Sequence, residues 1–236
     1  MIETLKAWVR EAKRIVFFGG AGVSTESGIP DFRGVDGLYH QKYAYPPETI
    51  LSHDFFLRKP EEFYRFYREK MLVSGAKPNA AHLKLAQWER EGKLTAVVTQ
   101  NIDGLHQAAG SRRVFELHGS VLRNYCMDCG KFYDVDFIRE SSGVPRCSCG
   151  GVVKPDVVLY GESLDQDCML GALRAIASAD LLIVGGTSLS VDPAAGLIDD
   201  YRGNRLVLVN KSETPQDARA DLIIRAPIGQ VFSQLP

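Results

Sequence analysis

Three groups of residues in this 236-residue chain have the types and spacing to do chemistry: paired cysteines, a glycine-rich turn ending in an acid and a base, and polar turns behind apolar runs. The cysteines stand as Cys126-x-x-Cys129 and Cys147-x-Cys149, with seventeen residues between the pairs and Gly130, Gly150 and Gly151 beside them. Two close thiol pairs at that separation supply four ligands to a tetrahedral zinc, and the glycines permit the tight turns around it. Four protein ligands leave no open coordination position, so the spacing predicts a structural metal. A disulfide pair is the competing reading. The N-terminal MIETLKAWVREAKR lacks the apolar centre of a secretory signal, which favours a reducing compartment and hence the metal. The second pair is one residue tighter than the usual two-residue gap. Cys168, in a helical stretch, reads as an ordinary thiol.

GGAGVSTESGIPDFRG, residues 19–34, follows the apolar IVFF. Glycines just past a buried strand let the backbone turn sharply and approach a ligand, as at phosphate sites. The match to a dinucleotide fingerprint is incomplete: Gly20-x-Gly22 supplies two glycines, Thr25 stands at the third position, and no acid ends a second strand about twenty residues on. A plain strand-to-helix turn is the bland alternative. Against it stand Asp31 and Arg33, which flank Phe32 just after a proline with no structural reason. TQNIDGLH, residues 99–106, puts Gln100, Asn101 and Asp103 behind LTAVV; Asp103 suits a helix cap, yet three such side chains exceed a cap's needs and suit a ribose and a carboxamide. His118 in ELHGS stands behind another strand, where a pKa near neutrality suits proton removal from a hydroxyl. His40, His53, His82 and His106 read as structural.

The elements that must position these groups are apolar runs separated by helical patterns: RIVFFGG, LTAVVTQ, VFELHG, VVLYG, DLLIVGG, RLVLVN and DLIIRA. Such alternation predicts a doubly wound, Rossmann-like parallel α/β sheet, with ligands at the carboxyl ends of the strands. Two stretches interrupt it. Residues 35–87 carry Phe55, Phe56, Phe63, Phe66 and Tyr67 at helical spacing, and residues 123–154 carry the cysteine pairs. They are expected to form a smaller lobe made of a helical insertion and a zinc-binding module. Residues 1–34, 88–122 and 155–236 are left to the nucleotide-binding domain.

Composition narrows the function classes. With 45% hydrophobic and 24% charged residues, the chain can bury a sizeable core, and no run of about 18 apolar residues argues for a membrane span. Twenty-eight basic against 29 acidic residues give a net charge of -1, so no overall field draws it to nucleic acid or an anionic membrane. A cytoplasmic location is expected.

Taken together, GAGVSTESGIPDFRG, TQNIDGLH, ELHG, the paired cysteines, KPDVVLYGE, GGTSLSV and RLVLVN resemble, in order, the sirtuins of bacterial type, from about residue 18 to residue 211. The resemblance implies an NAD-dependent protein lysine deacylase. By position, Ala21, Gly22 and Thr25 would line the pyrophosphate, with Arg33 near the ribose and phosphates. Phe32 would cover the nicotinamide pocket, and Ile102 and Asp103 would hold the carboxamide. Gln100 and Asn101 would contact the ribose, and Thr187, Ser188 and Asn210 would surround the adenosine half. Ile228 would reach adenine through its backbone. Val158 and Tyr160 would line the acyl-lysine tunnel, and the backbone around Gly161 and Glu162 would pair with the substrate peptide as an added strand, so sequence preference should be loose. The implied chemistry is attack of the acyl oxygen on the ribose anomeric carbon, loss of nicotinamide, and transfer of the acyl group to ribose with His118 as general base and Asn101 beside it. The resemblance also implies one structural zinc, acyl-lysine proteins as partners and, from the lack of long extensions, a monomer.

Succinyl- and malonyl-preferring sirtuins carry a tyrosine and an arginine three residues apart. In GLYHQKYAYPPET, Tyr39, Tyr43 and Tyr45 have no such arginine, the nearest being Arg33 and Arg58, so acetyl and other neutral acyl groups are expected. Two alternatives remain open on the residues: a mono-ADP-ribosyltransferase using the same NAD site, and a non-enzymatic zinc-dependent binding module. A hydride-transfer dehydrogenase would leave DFRG and TQNIDG without a role.

Overall fold

The computed structural model describes residues 1–32, 37, 39 and 43–236. Its strands in chain order are β1 (Ile15–Gly19), β2 (Leu94–Thr99), β3 (Val114–Glu116), β4 (Gly119–Cys126), β5 (Phe132–Tyr133), β6 (Val153–Val157), β7 (Leu181–Gly185), β8 (Leu206–Val209) and β9 (Leu222–Ile224). IVFFG offers no polar side chain to water, so it is stable as a strand only with both faces covered. In β1 all five residues are buried; Ile15 and Phe17 enter one core, Val16 and Phe18 the other. Full burial of each such side chain contributes roughly 1.5–3 kcal/mol. Six strands form a parallel sheet in the order β3-β2-β1-β7-β8-β9.

The helices are α1 (Ile2–Glu11), α2 (Pro47–Ile50), α3 (His53–Arg58), α4 (Pro60–Phe66), α5 (Ala80–Arg90), α6 (Leu105–Ala108), α7 (Val135–Glu140), α8 (Gln166–Ser178) and α9 (Ile228–Phe232). Leu5 and Val9 of α1, Leu85 and Trp88 of α5, and Val231 and Phe232 of α9 cover one face of the sheet. Ala172, Ala175 and Ile176 of α8 cover the other. The sheet is therefore doubly wound. No helix among the described residues is long and apolar enough to cross a membrane.

A second sheet, β5-β4-β6, is antiparallel and shares a separate core with α2, α3 and α4, in which Phe55, Phe56, Phe63, Phe66 and Tyr67 are all buried. Two expectations need correction. VVLYG does not join the parallel sheet: its first valine ends β6, whose buried-and-half-buried alternation marks a strand with only one face in a core. Helix α5 starts inside the stretch assigned to the insertion, but its buried side lies in the main core, so residues 80–87 belong with the large sheet. Asn79 starts that helix by accepting the Ala81 N–H, and His82 completes a capping box.

Candidate active site

In the order β3-β2-β1-β7-β8-β9 the chain leaves β1 toward β2 and later returns to add β7 on its other side, so the crevice of the sheet lies beyond the carboxyl ends of β1 and β7. The loop after β1 is pressed against the loop after β7. Gly22 N–H donates to the Gly186 carbonyl at 2.8 Å, and a Cβ on Gly22 would stand 2.8 Å from Gly186 Cα. The glycine therefore serves a close approach of two protein loops, and its N–H is committed there. Thr25 Oγ1 donates to the Gly22 carbonyl at 3.0 Å, which closes the turn.

Behind β2, the polar residues form one network. Asn101 Nδ2 donates to Ser24 Oγ at 3.1 Å, and that hydroxyl donates to Asp103 Oδ2 at 2.6 Å. Asp103 Oδ1 accepts the Leu105 N–H at 2.8 Å from the position before the N-cap, which is Gly104 and gives no side-chain cap bond, so Asp103 closes a turn rather than capping the helix and uses only part of its carboxylate. Ile102 and Phe32 lie against the small-lobe core, and the Ile102 carbonyl accepts the Val121 N–H. Gln100 Oε1 accepts from Thr187 Oγ1 at 3.3 Å, while Gln100 Nε2 is buried without a partner among the described residues. A buried orphan donor at this crevice is what an acceptor-rich nucleotide satisfies. On the far side, Ser188 bonds Ser190, and Asn210 Nδ2 donates to the Ser212 carbonyl at 2.9 Å. The Ile228 side chain is core, lying against Gly185, and only its backbone remains for a ligand.

His118 follows β3. The Gln100 carbonyl lies 3.0 Å from Nδ1, and a carbonyl can only accept, so the ring carries its proton on Nδ1 and leaves the Nε2 lone pair free to take another. Burial pushes its pKa below the ordinary value and outweighs the Gln100 hydrogen bond, which acts the other way, so the imidazole is neutral near pH 7. The His118 carbonyl accepts the Val158 N–H at 3.0 Å. Val157 and Leu159 lie in the small-lobe core, while Val158 is half-buried and Tyr160 is exposed. Tyr160 exchanges backbone bonds with Leu51 and His53, and its hydroxyl lies 2.6 Å from that of Tyr39, whose ring meets Phe32 edge-on. Glu162 differs from expectation. Its N–H donates to the Leu159 carbonyl, and its carboxylate accepts from His53, Lys154 and the Leu159 N–H. It is a tie within the turn, with both its N–H and its carboxylate engaged by the protein.

The four cysteine sulfurs lie within 4.8 Å of one another, three of the gaps being 3.5 to 3.6 Å. Zn–S bonds of about 2.3 Å in a tetrahedron put sulfurs about 3.8 Å apart, so the tight Cys147-x-Cys149 pair still closes the site. The Tyr133 hydroxyl donates to Cys147 Sγ at 3.1 Å, a bond from outside the four that helps fix that sulfur in the cluster. The residues are placed to bind a zinc ion remote from the reacting groups. The purified protein should contain one zinc per chain by atomic absorption, and stripping it with a strong chelator should unfold β4–β6, since such sites contribute about 10–16 kcal/mol to folding. A fully folded, active protein without metal would overturn this assignment.

Arg33 and His40 lie outside the described residues. His53 pairs with Glu162, while His82 and His106 form a buried pair whose pKa values burial depresses, His82 to about 4, so both stay neutral and structural. Sequence reasoning missed Ser24, which is 1% exposed and bridges Asn101 and Asp103. Among Ser24, Thr25 and Ser27, only the turn geometry selects the one that faces inward.

A family model described as the Sir2 family matches residues 20–193. An NAD-dependent protein deacetylase of Clostridium perfringens is 60% identical over 238 residues, spanning 99% of this chain and 98% of its own. A Sir2 structure with a p53 peptide and NAD+ superposes with a TM-score of 0.88 at 43% identity, over 99% of this chain and 96% of the other. Another, a histidine variant with deacetylated p53 peptide and 3'-O-acetyl-ADP-ribose, gives a TM-score of 0.90 at 43% identity, over 98% and 96%. The parallel sheet and the cysteine cluster thus agree with matches that run the length of the chain, and this protein belongs to the Sir2 family.

Proposed function

We propose that the protein removes neutral acyl groups from lysine side chains of proteins by transferring them to ADP-ribose, with nicotinamide released. NAD-dependent protein deacetylation is the activity of the group to which the chain belongs. One observation carries the finer reading: the Asn101–Ser24–Asp103 network and the Nδ1-protonated His118 lie behind β1, β2 and β3, at the carboxyl-end side of the sheet where the crevice beyond β1 and β7 opens. NAD supplies the electrophilic ribose carbon, the leaving nicotinamide and the hydroxyls that accept the acyl group. Gln100 and Asn101 would hold the ribose, Asp103 and Ile102 the carboxamide, and Ala21 and Thr25 the pyrophosphate, with Gly22 keeping the turn close to Gly186 and Arg33 close by. Thr187, Ser188, Asn210 and the Ile228 backbone hold the adenosine end. Val158 and Tyr160 align the acyl-lysine, and His118 Nε2 takes the proton of the ribose hydroxyl that becomes acylated. The sheet of β4, β5 and β6 that carries the cysteines, with α2, α3 and α4, acts as the small lobe of a cytoplasmic monomer.

The neutral preference is supported by the small-lobe wall. Tyr43 meets Phe66 and Tyr45 meets Phe55, while Lys59, bonded to Tyr45, already pairs with Glu62, and Arg58 pairs with Asp54. Lys59 and Arg58 are thereby committed to carboxylates of the protein, whereas Arg65 lines the same wall with no carboxylate partner among the described residues. Acetyl- and succinyl-lysine peptides at equal concentration should be turned over with acetyl clearly ahead; a faster succinyl peptide would reject the preference. Appearance of acyl-ADP-ribose by mass spectrometry tests the transfer, whereas ADP-ribose attached to protein would favour the ADP-ribosyltransferase.

A further inference from the structure

Arg123 lies on β4 in the irregular stretch between Ser120 and Asn124, where the register against β6 shifts. Such bulges re-aim side chains beside active sites. Arg123 Nη1 donates to Glu116 Oε2 at 2.7 Å, and Nε donates to Asp156 Oδ2 at 2.8 Å. Glu116 ends β3, two residues before His118, and Asp156 lies on β6, two residues before Val158. The same two segments meet again through the Val158 N–H and the His118 carbonyl. A single planar guanidinium thus spans the segment that carries the base and the segment that carries the acyl-lysine wall, with fixed angles a lysine ammonium does not impose. The Glu116 side chain is only 10% exposed, so losing the arginine leaves a largely buried carboxylate without its partner.

We infer that Arg123 is a positioning residue for the acyl-transfer step: it sets His118 against the Val158–Tyr160 wall. The inference rests on the reading of His118 as the base. The depressed His118 pKa comes from burial, opposed by the Gln100 carbonyl, so the effect of Arg123 is one of placement rather than of charge.

Two assays on one acetyl-lysine peptide separate the steps. Exchange of labelled nicotinamide into NAD reports the step before His118 acts, and release of deacetylated peptide reports the whole reaction. A misplacement of about 1 Å costs about 100-fold, so Arg123→Ala should lower deacetylation kcat roughly 10- to 100-fold while exchange changes by less than about 3-fold. Arg123→Lys should recover part of the loss, and Asp156→Asn should repeat the pattern more weakly. Amide hydrogen exchange at Val158 should quicken in Arg123→Ala, while the melting temperature shows the variant folded. If exchange and deacetylation fall together, or neither falls, or Val158 keeps its protection, the inference is overturned. A His118→Ala variant with normal deacetylation would instead overturn the reading beneath it, and is scored separately.

Discussion

His118→Ala should lower deacetylation kcat by about 10²- to 10⁴-fold, the span associated with a positioned general base. Peptide binding and nicotinamide exchange should remain near wild type. The expectation follows from the tautomer: the Gln100 carbonyl holds the proton on Nδ1 and leaves Nε2 as the only basic site of the ring. It also predicts a direction with pH. Because burial lowers the His118 pKa below 6.5, the base stays unprotonated through neutrality. Activity should be level across neutral pH and fall only as the pH drops through the depressed value, so the acid limb of kcat/KM should lie below 6.5. His118→Ala should lose that limb. An acid limb at or above 6.5, or one that survives the substitution, would assign the base to another group.

Gly119→Ala should be the most damaging glycine-to-alanine change among the described residues. Gly119 adopts φ +75°, and a Cβ there would collide with the Asp156 carbonyl oxygen, a backbone atom that cannot swing aside. Left-handed strain and a backbone clash together should cost about 3 kcal/mol or more, the range of severe core lesions. The only relief is to separate β4 from β6 at the point where Gly119 pairs with Val157, beside the bond between the His118 carbonyl and the Val158 N–H. Urea denaturation should therefore show a lower midpoint at unchanged slope, and the folded fraction should deacetylate poorly. A variant within about 0.5 kcal/mol of wild type would mean that the turn relaxes without opening the sheets.

Features encoded within short windows could be read from the residues alone. The zinc ligands are two tight pairs, and their spacing carries the chemistry whatever the rest of the fold does. Six apolar runs announced parallel strands because a strand covered on both faces has no polar alternation. His118 and the amide turn behind β2 were legible because strand ends in such sheets converge on one crevice.

What required the tertiary structure is pairing across long separations. Ser24 meets Asp103 79 positions away, and nothing in GAGVSTESG tells which hydroxyl will face it. That the Gly22 N–H is bound to the Gly186 carbonyl, 164 positions away, is likewise invisible in the turn's sequence. VVLYG reads like its neighbours and lies elsewhere because only one of its faces meets a core. Glu162 lay in a substrate motif and turned inward to His53 and Lys154. Spacing and burial period are properties of a few consecutive residues. Which loop presses on which, and whether a charge is spent inside the protein or kept for a ligand, depends on the packing of segments that only the folded topology brings together.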